Sequence, residues 1–163
     1  MKLVLDAGPL LLLAAGRSMA SQYKRTMAFG EAGYVALAQF VAPYSSIVTT
    51  PHVMTEAWNL TGNDDTNDYI RIAIKFNLKT LIERMTEHHR ASANLIADDH
   101  FISLGLSDVA QLDAAQAERC PLVTQDRKLW RIALARGVEA IHLEDLFALS
   151  PARASSPPRP RPR

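Results

Sequence analysis

The sequence predicts a three-layer α/β fold, a central parallel sheet of about five strands flanked by helices. Three observations lead there. Short apolar or β-branched runs alternate with helical patterns, helix-start and helix-stop residues punctuate those patterns, and 163 residues give one domain room for a buried core without space for a second catalytic domain.

Residues 2–5, Lys-Leu-Val-Leu, read as a short apolar strand that stops at Asp6. A carboxylate therefore stands at a strand's carboxyl end, where open α/β sheets form their ligand crevice. Pro9 falls in the first turn of the next helix, where its missing N–H is tolerated, and residues 10–15 continue that helix until Gly16. Residues 17–33 are polar and glycine-punctuated, with helical character around 23–29. A helix over 34–40 ends near Pro43, and the β-branched run 46–49 is a second strand. Thr50-Pro51 supplies the N-cap and first residue of a helix closed by Gly62. After a loop at 63–65, residues 66–85 form a long helical pattern with Ile70, Ile74, Leu78 and Leu81 on one stripe. Residues 86–89 are an ambiguous third strand, and 91–102 read as helical until Gly105. Ser107-Asp108 opens a helix through about 118, 121–124 is the fourth strand, Asp126 caps a helix over 127–136, and 138–143 is the fifth strand. The domain is expected to span 1–149. From 150 onward the Pro/Arg-rich tail holds nothing that could fill a core and reads as disordered or polyproline II.

Hydrophobic residues make up 48% of the chain, ordinary for a globular protein, and the formal net charge is +1. The tail holds Arg153, Arg159, Arg161 and Arg163 and no acid, leaving 14 basic against 17 acidic residues before it, a net of −3. Such a body does not hold nucleic acid by bulk charge; local cations must serve. The single cysteine, Cys120, excludes an internal disulfide and a cysteine-rich zinc module and reads as a buried thiol in a reducing compartment. Lys2, the apolar stretch 7–15 and Ser18-Met19-Ala20 mimic a signal peptide, but Asp6 and Arg17 are misplaced for one, so a cytoplasmic location is expected. No run approaches the ~20 apolar residues of a membrane helix, so no membrane partner is expected.

Four acids, Asp6, Glu56, Asp108 and Asp126, each sit where a strand ends or a helix begins. Asp6 and Asp126 are also placed to cap helices, and Asp108 lies in a first turn that the helix dipole favours. Glu56 is a poor cap; among Val53, Ala57 and Leu60 it is either a solvated helix edge or a half-buried carboxylate needing a partner. A parallel sheet brings all four to one edge. Oxygen ligands in that number suit a hard cation, Mg²⁺ or Mn²⁺, and without one the carboxylates repel and some take up protons.

In these pieces the chain resembles the PIN-domain ribonucleases, particularly VapC-type toxins of toxin–antitoxin pairs. The matching stretches are Leu-Val-Leu-Asp-Ala-Gly-Pro-Leu at 3–10, Thr-Pro-His-Val-Met-Thr-Glu at 50–56, Leu-Gly-Leu-Ser-Asp at 104–108 and Leu-Val-Thr-Gln-Asp-Arg-Lys-Leu at 122–129, and the likeness spans about 1–147. The long interval between Asp6 and Glu56 and the Arg/Pro tail depart from that pattern. The resemblance implies a PIN-like fold and a divalent-metal-dependent endoribonuclease cutting RNA to a 5′-phosphate and a 3′-hydroxyl. It places Asp6 and Asp108 most directly on the metal, Asp126 as a further metal ligand or as holder of a bound water, Glu56 as second-layer or general-base carboxylate, and Thr124 as an orienting hydroxyl. It also implies an RNA substrate, a cognate antitoxin protein and a homodimer.

His52 lies four residues before Glu56 on one helical face and reads as a surface residue, with a metal or phosphate contact as the alternative. His88-His89 has no second ligand pair at zinc spacing, and Asp98-Asp99-His100 reads as a solvated helix face or end. Arg127, Lys128 and Arg131 could flank the site, and Trp130 reads as a core or dimer residue before a base-stacking one. Ile70, Ile74 and Leu78 read as core, with an antitoxin or dimer contact as the alternative. A haloacid-dehalogenase-like phosphatase needs a second Asp where Gly8 stands, a receiver domain needs a phosphorylatable Asp where the second strand ends in threonines, and Ala7-Gly8-Pro9 is no dinucleotide-binding loop. The non-enzymatic alternative is a catalytically silent PIN-like module binding RNA or protein.

Overall fold

Alternation along the first strand sets up the layers. In β1 (Lys2–Leu5) the buried Leu3 and Leu5 join one core cluster and Val4 joins another, because successive side chains leave a strand on opposite faces. A computed structural model describes residues 1–62 and 67–148; the expected loop at 63–65 and the tail from 150 lie outside the described residues.

The chain continues as α1 (Ala7–Met19), α2 (Gly30–Val41), β2 (Ser46–Thr49), α3 (Pro51–Leu60), α4 (Asp68–Ile82), β3 (Thr86–Glu87), α5 (Ser92–Leu95), α6 (Phe101–Leu104), α7 (Leu106–Glu118), β4 (Leu122–Thr124), α8 (Arg127–Ala135), β5 (Ala140–His142) and α9 (Leu143–Ala148). All strand pairs are parallel, in the order β3-β2-β1-β4-β5. The expected α/β class and five-stranded parallel sheet are thus observed. Leu3 and Leu5 meet Leu12 of α1, Leu37 of α2 and Leu143 of α9 on one face, whereas Val4, Val48 and Leu122 meet Leu112 of α7 and Leu129 and Ala133 of α8 on the other. Helices on both faces make three layers. Outside the first face, α3 and α4 pack on α1 through Val53, Ala57, Ile74 and Leu78. The stripe on the fourth helix is therefore core, and α4 instead exposes Tyr69, Ile72 and Phe76.

The winding reverses beside β1. The chain steps outward from β1 through β2 to β3, then crosses back over the sheet to β4 on the other side of β1. In this topology a crevice opens where the carboxyl ends of the two strands diverge. Val4 pairs with Leu122 and Leu5 with Val123, so Asp6 and Thr124 leave the sheet side by side, and Asp6 N donates to the Val123 carbonyl at 3.0 Å.

Several boundaries differ from expectation. Gly16 takes φ 68°, closed to most L residues, and ends the regular part of α1 as expected. Residues 23–29 form successive turns rather than a helix, pinned by the buried Tyr23, whose hydroxyl donates to the Leu60 carbonyl at 3.0 Å, and by Thr26, whose hydroxyl donates to the Ala20 carbonyl at 2.9 Å. The expected helix over 91–102 is two single turns, α5 and α6. Between them Asp98 accepts from the His100 N–H at 2.8 Å and from Arg136 at 2.5 and 2.7 Å, so it is a half-buried ion-pair partner rather than a solvated helix residue. Short polar side chains that bond nearby backbone compete with helix in this way. The fifth strand is only Ala140–His142: Gly137, at φ 73°, and Val138 still close α8, and Leu143 opens α9.

Candidate functional site

Each acid is placed by the element that carries it. Asp6, 7% exposed, follows β1 and accepts from Ala7 N at 2.6 Å. Thr124, fully buried at the end of β4, donates to Asp6 Oδ2 at 2.6 Å and accepts from Asp126 N at 2.9 Å, so one hydroxyl ties the two strand ends together. Asp126 caps α8 through Oδ1, which accepts from Lys128 N at 2.6 Å and Leu129 N at 3.0 Å; its Oδ2 has no hydrogen-bond partner among the described residues. Its capping role and its place beside Asp6 coexist. Asp108, in the first turn of α7, accepts from Gln111 at 3.1 Å, and the same amide nitrogen donates to Asp6 Oδ1 at 3.2 Å. Glu56, half-buried on α3, has no hydrogen-bond or ion-pair partner among the described residues.

Asp6, Glu56, Asp108 and Asp126 line one open cleft of about 420 Å³, together with Gly8, Gln125, His142 and Glu144 among others. Burial first, then the charges of Asp6, Asp126 and Glu56, push the Asp108 carboxyl up from 3.8 to about 7, with the Gln111 hydrogen bond pulling the other way. That is the proton uptake expected of clustered carboxylates. All four expected acids are therefore brought together, with Thr124 directly behind Asp6.

The donor set fits a hard divalent cation. Its side-chain groups are mostly carboxylates, with amides, a hydroxyl and the His142 imidazole and no thiolate, and Asp108 Oδ2 and Asp126 Oδ2 are uncommitted. Among the described residues no three acidic, histidine or cysteine side chains stand close enough together, as they lie, to hold a metal ion by themselves. Mg²⁺ keeps several waters and binds through one or two carboxylates, so a closed protein shell is not what such an ion requires.

Three residues of this region are missing from the sequence reading. Gln111 is fully buried and bridges Asp6 to Asp108; its signal was its position three residues after Asp108, on the same helical face. His142 ends β5 at the same sheet edge, is 2% exposed, and contacts the Gln125 carbonyl through Nε2 at 2.9 Å. Because a carbonyl only accepts, Nε2 carries the proton in the neutral ring. Glu144 follows, on α9, and pairs with Arg127 at the cleft mouth. Of the expected flanking cations, Arg127 is thus tethered at the rim, Lys128 reaches the Ser103 carbonyl, and Arg131 is exposed. Trp130 braces β5 by donating to the Ala140 carbonyl at 3.1 Å and by packing edge-on against His142. His52 lies outside the acidic cleft, in a neighbouring groove. His88 contacts Asp113 at 3.0 Å, and Cys120 is buried and its thiol pushed up by that burial.

Fold and site together define a three-layer parallel α/β protein with an acidic cleft at its topological switch point. No family model matches the chain, and no curated protein matches it. Among solved structures it is similar to PAE2754 from Pyrobaculum aerophilum, at 19% identity over 91% of this chain and 93% of that one, with a TM-score of 0.58. It is also similar to a domain of a functionally unknown protein from Methanocaldococcus jannaschii DSM 2661, at 15% identity over 86% of this chain and 89% of that one, with a TM-score of 0.50. These likenesses show the fold. Among the described residues no helix is long and apolar enough to cross a membrane.

Proposed function

We propose that the acidic cleft is the active site of a divalent-metal-dependent endoribonuclease, a VapC-like toxin of the PIN-domain type. The observation that supports this best is the convergence of Asp6, Glu56, Asp108 and Asp126 on one cleft, with Asp108 pushed up to about 7 by burial and its acidic neighbours. Asp6, Asp108 and Asp126 would hold Mg²⁺ or Mn²⁺, directly or through the waters such an ion keeps. When bound, the ion supplies positive charge against a phosphodiester and acidifies water.

The chain's own groups do the rest. Thr124 and Gln111 fix the rotamer of Asp6 by bonding both of its oxygens, so that carboxylate is preorganised. Glu56, without a protein partner in its half-buried position, takes a proton from the attacking water as general base. The water oxygen bonds to phosphorus and the bond to the 3′ oxygen breaks; that oxygen takes a proton from solvent water in the open cleft and Glu56 returns its proton to solvent, leaving a 5′-phosphate and a 3′-hydroxyl. Arg127, paired with the cleft-lining Glu144, supplies a cation for the RNA backbone in this reading. The exposed stripe of Tyr69, Ile72 and Phe76 on α4 suits a protein partner, an antitoxin or a second copy of the chain.

A structured RNA pool incubated with wild type or Asp6→Asn, each with Mn²⁺ or with EDTA, tests this reading. Cuts bearing 5′-phosphates are expected only with wild type and Mn²⁺. Equal cutting by folded Asp6→Asn would remove the cleft from consideration, and absence of cutting by a wild type that binds Mn²⁺ would favour a catalytically silent PIN-like binding module.

A further inference from the structure

A second groove, of about 380 Å³, opens next to the acidic cleft and shares Glu56 and Leu60 with it. It runs between α3 and the start of α7. No lysine or arginine lines it, so its charge does not attract a phosphate; Leu60 and Leu106 give it apolar walls, and His52, Asn59 and Ser107 give it polar groups. His52, Thr55 and Asn59 recur at helical spacing and therefore occupy one stripe of α3. The hydrogen-bonding capacity of this stripe is largely unspent. The exposed Asn59 amide and the half-buried His52 ring have no protein hydrogen-bond partner among the described residues, and across the groove on α7 the buried Ser107 hydroxyl has none either. Thr55 already donates to the Pro51 carbonyl at 2.8 Å and is left as an acceptor.

Apolar walls, a planar amide with two donors and an acceptor, and no cation describe a site for a neutral, flat ring with a hydrogen-bonding edge. Resting on the nuclease reading above, we propose that this groove is a nucleobase pocket: one unpaired base next to the scissile phosphate lies between Leu60 and Leu106 and is read at its edge by Asn59. An asparagine amide pairs with a base edge through two hydrogen bonds at once, as it does with adenine. A paired base cannot enter, because its edge and faces are engaged in the duplex, so the pocket selects single-stranded RNA. Its position also explains why the stripe adjoins Glu56: the base and its phosphate occupy neighbouring compartments.

The test is binding of four fluorescent pentaribonucleotides, one for each base, to full-length Asp6→Asn protein, with monovalent salt present to screen the acids. The best and worst oligonucleotides are expected to differ by about tenfold, and Asn59→Ala in the same background is expected to reduce that to under about twofold. His52→Ala is a second probe, expected to weaken the preferred oligonucleotide most. Equal binding of all four, no binding, or a preference unchanged by both substitutions would overturn the pocket. Equal binding is also the outcome if the groove takes an apolar side chain of a protein partner. Cleavage by wild type with Mn²⁺ reads the nuclease assignment separately: cuts whose flanking-base preference survives Asn59→Ala would overturn the pocket alone, whereas base-selective binding without cuts would overturn the nuclease alone.

Discussion

Asp108→Asn should make the metal-free protein more stable, by a margin that grows from about pH 4 and is complete above about pH 7. The Asp108 carboxyl stands at about 7 in the folded chain against an ordinary 3.8, because burial and the charges of Asp6, Asp126 and Glu56 all oppose its ionisation. A carboxyl that holds its proton more tightly when folded contributes stability that is complete below the unfolded value and is lost as pH rises through the folded one. The window of loss is therefore from about 4 to about 7. Fully expressed, the difference corresponds to about 4 kcal/mol; the cleft is open to water, which screens its charges, and about 2 kcal/mol is the working magnitude. Asparagine keeps an oxygen for the Gln111 amide and removes the charge. In EDTA at pH 8, Asp108→Asn should therefore melt about 4 to 8 °C above wild type, and at pH 4 the two should coincide. Thermal unfolding followed by circular dichroism at both pH values reads this. A variant less stable than wild type by the same margin at both would refute the idea that these four acids repel one another in one cleft.

Other consequences are equally specific. Thr124→Val removes the hydroxyl between Asp6 and the Asp126 N–H and should cost about 1–3 kcal/mol in urea unfolding, with Thr124→Ser restoring most of it. Gln111→Leu strips the shared donor from Asp6 and Asp108; it should weaken the chain in EDTA more at pH 8 than at pH 4, since the lost bond favours the ionised carboxyl. Gly33→Leu places a side chain where the Phe147 ring packs against α2 and should cost about 1–3 kcal/mol by overpacking, read as a lowered urea midpoint at unchanged slope.

The parts legible in the sequence were those specified locally. Thr50-Pro51 caps and starts α3 as read, with the Thr50 hydroxyl accepting from Val53 N at 3.3 Å, and Asp126 caps α8. The four acids could be grouped because strand ends in a parallel sheet share an edge, a constraint of topology rather than of side-chain detail. What was not legible depends on contacts distant in sequence. The break in the expected 91–102 helix follows from Arg136 reaching Asp98, 38 residues away, and the turns around Tyr23 from a hydroxyl bond to Leu60, 37 residues away. Likewise Leu143 is buried among Leu3 and Leu5 as the start of a helix, whereas its apolar character alone suited a continued strand. Gln111 and His142 escaped notice because a polar residue in a helix or a strand carries no mark of burial until its partners are placed.

Calorimetric titration of Mn²⁺ into wild type, Asp6→Asn and Glu144→Gln tests the cation site most directly, without choosing an RNA. Wild type and Glu144→Gln should each bind one functional site's worth of metal with similar affinity, and Asp6→Asn should lose that binding while keeping its circular dichroism spectrum. Undiminished binding in Asp6→Asn, or none in wild type, would contradict the assignment of the acidic cleft as a divalent-cation centre.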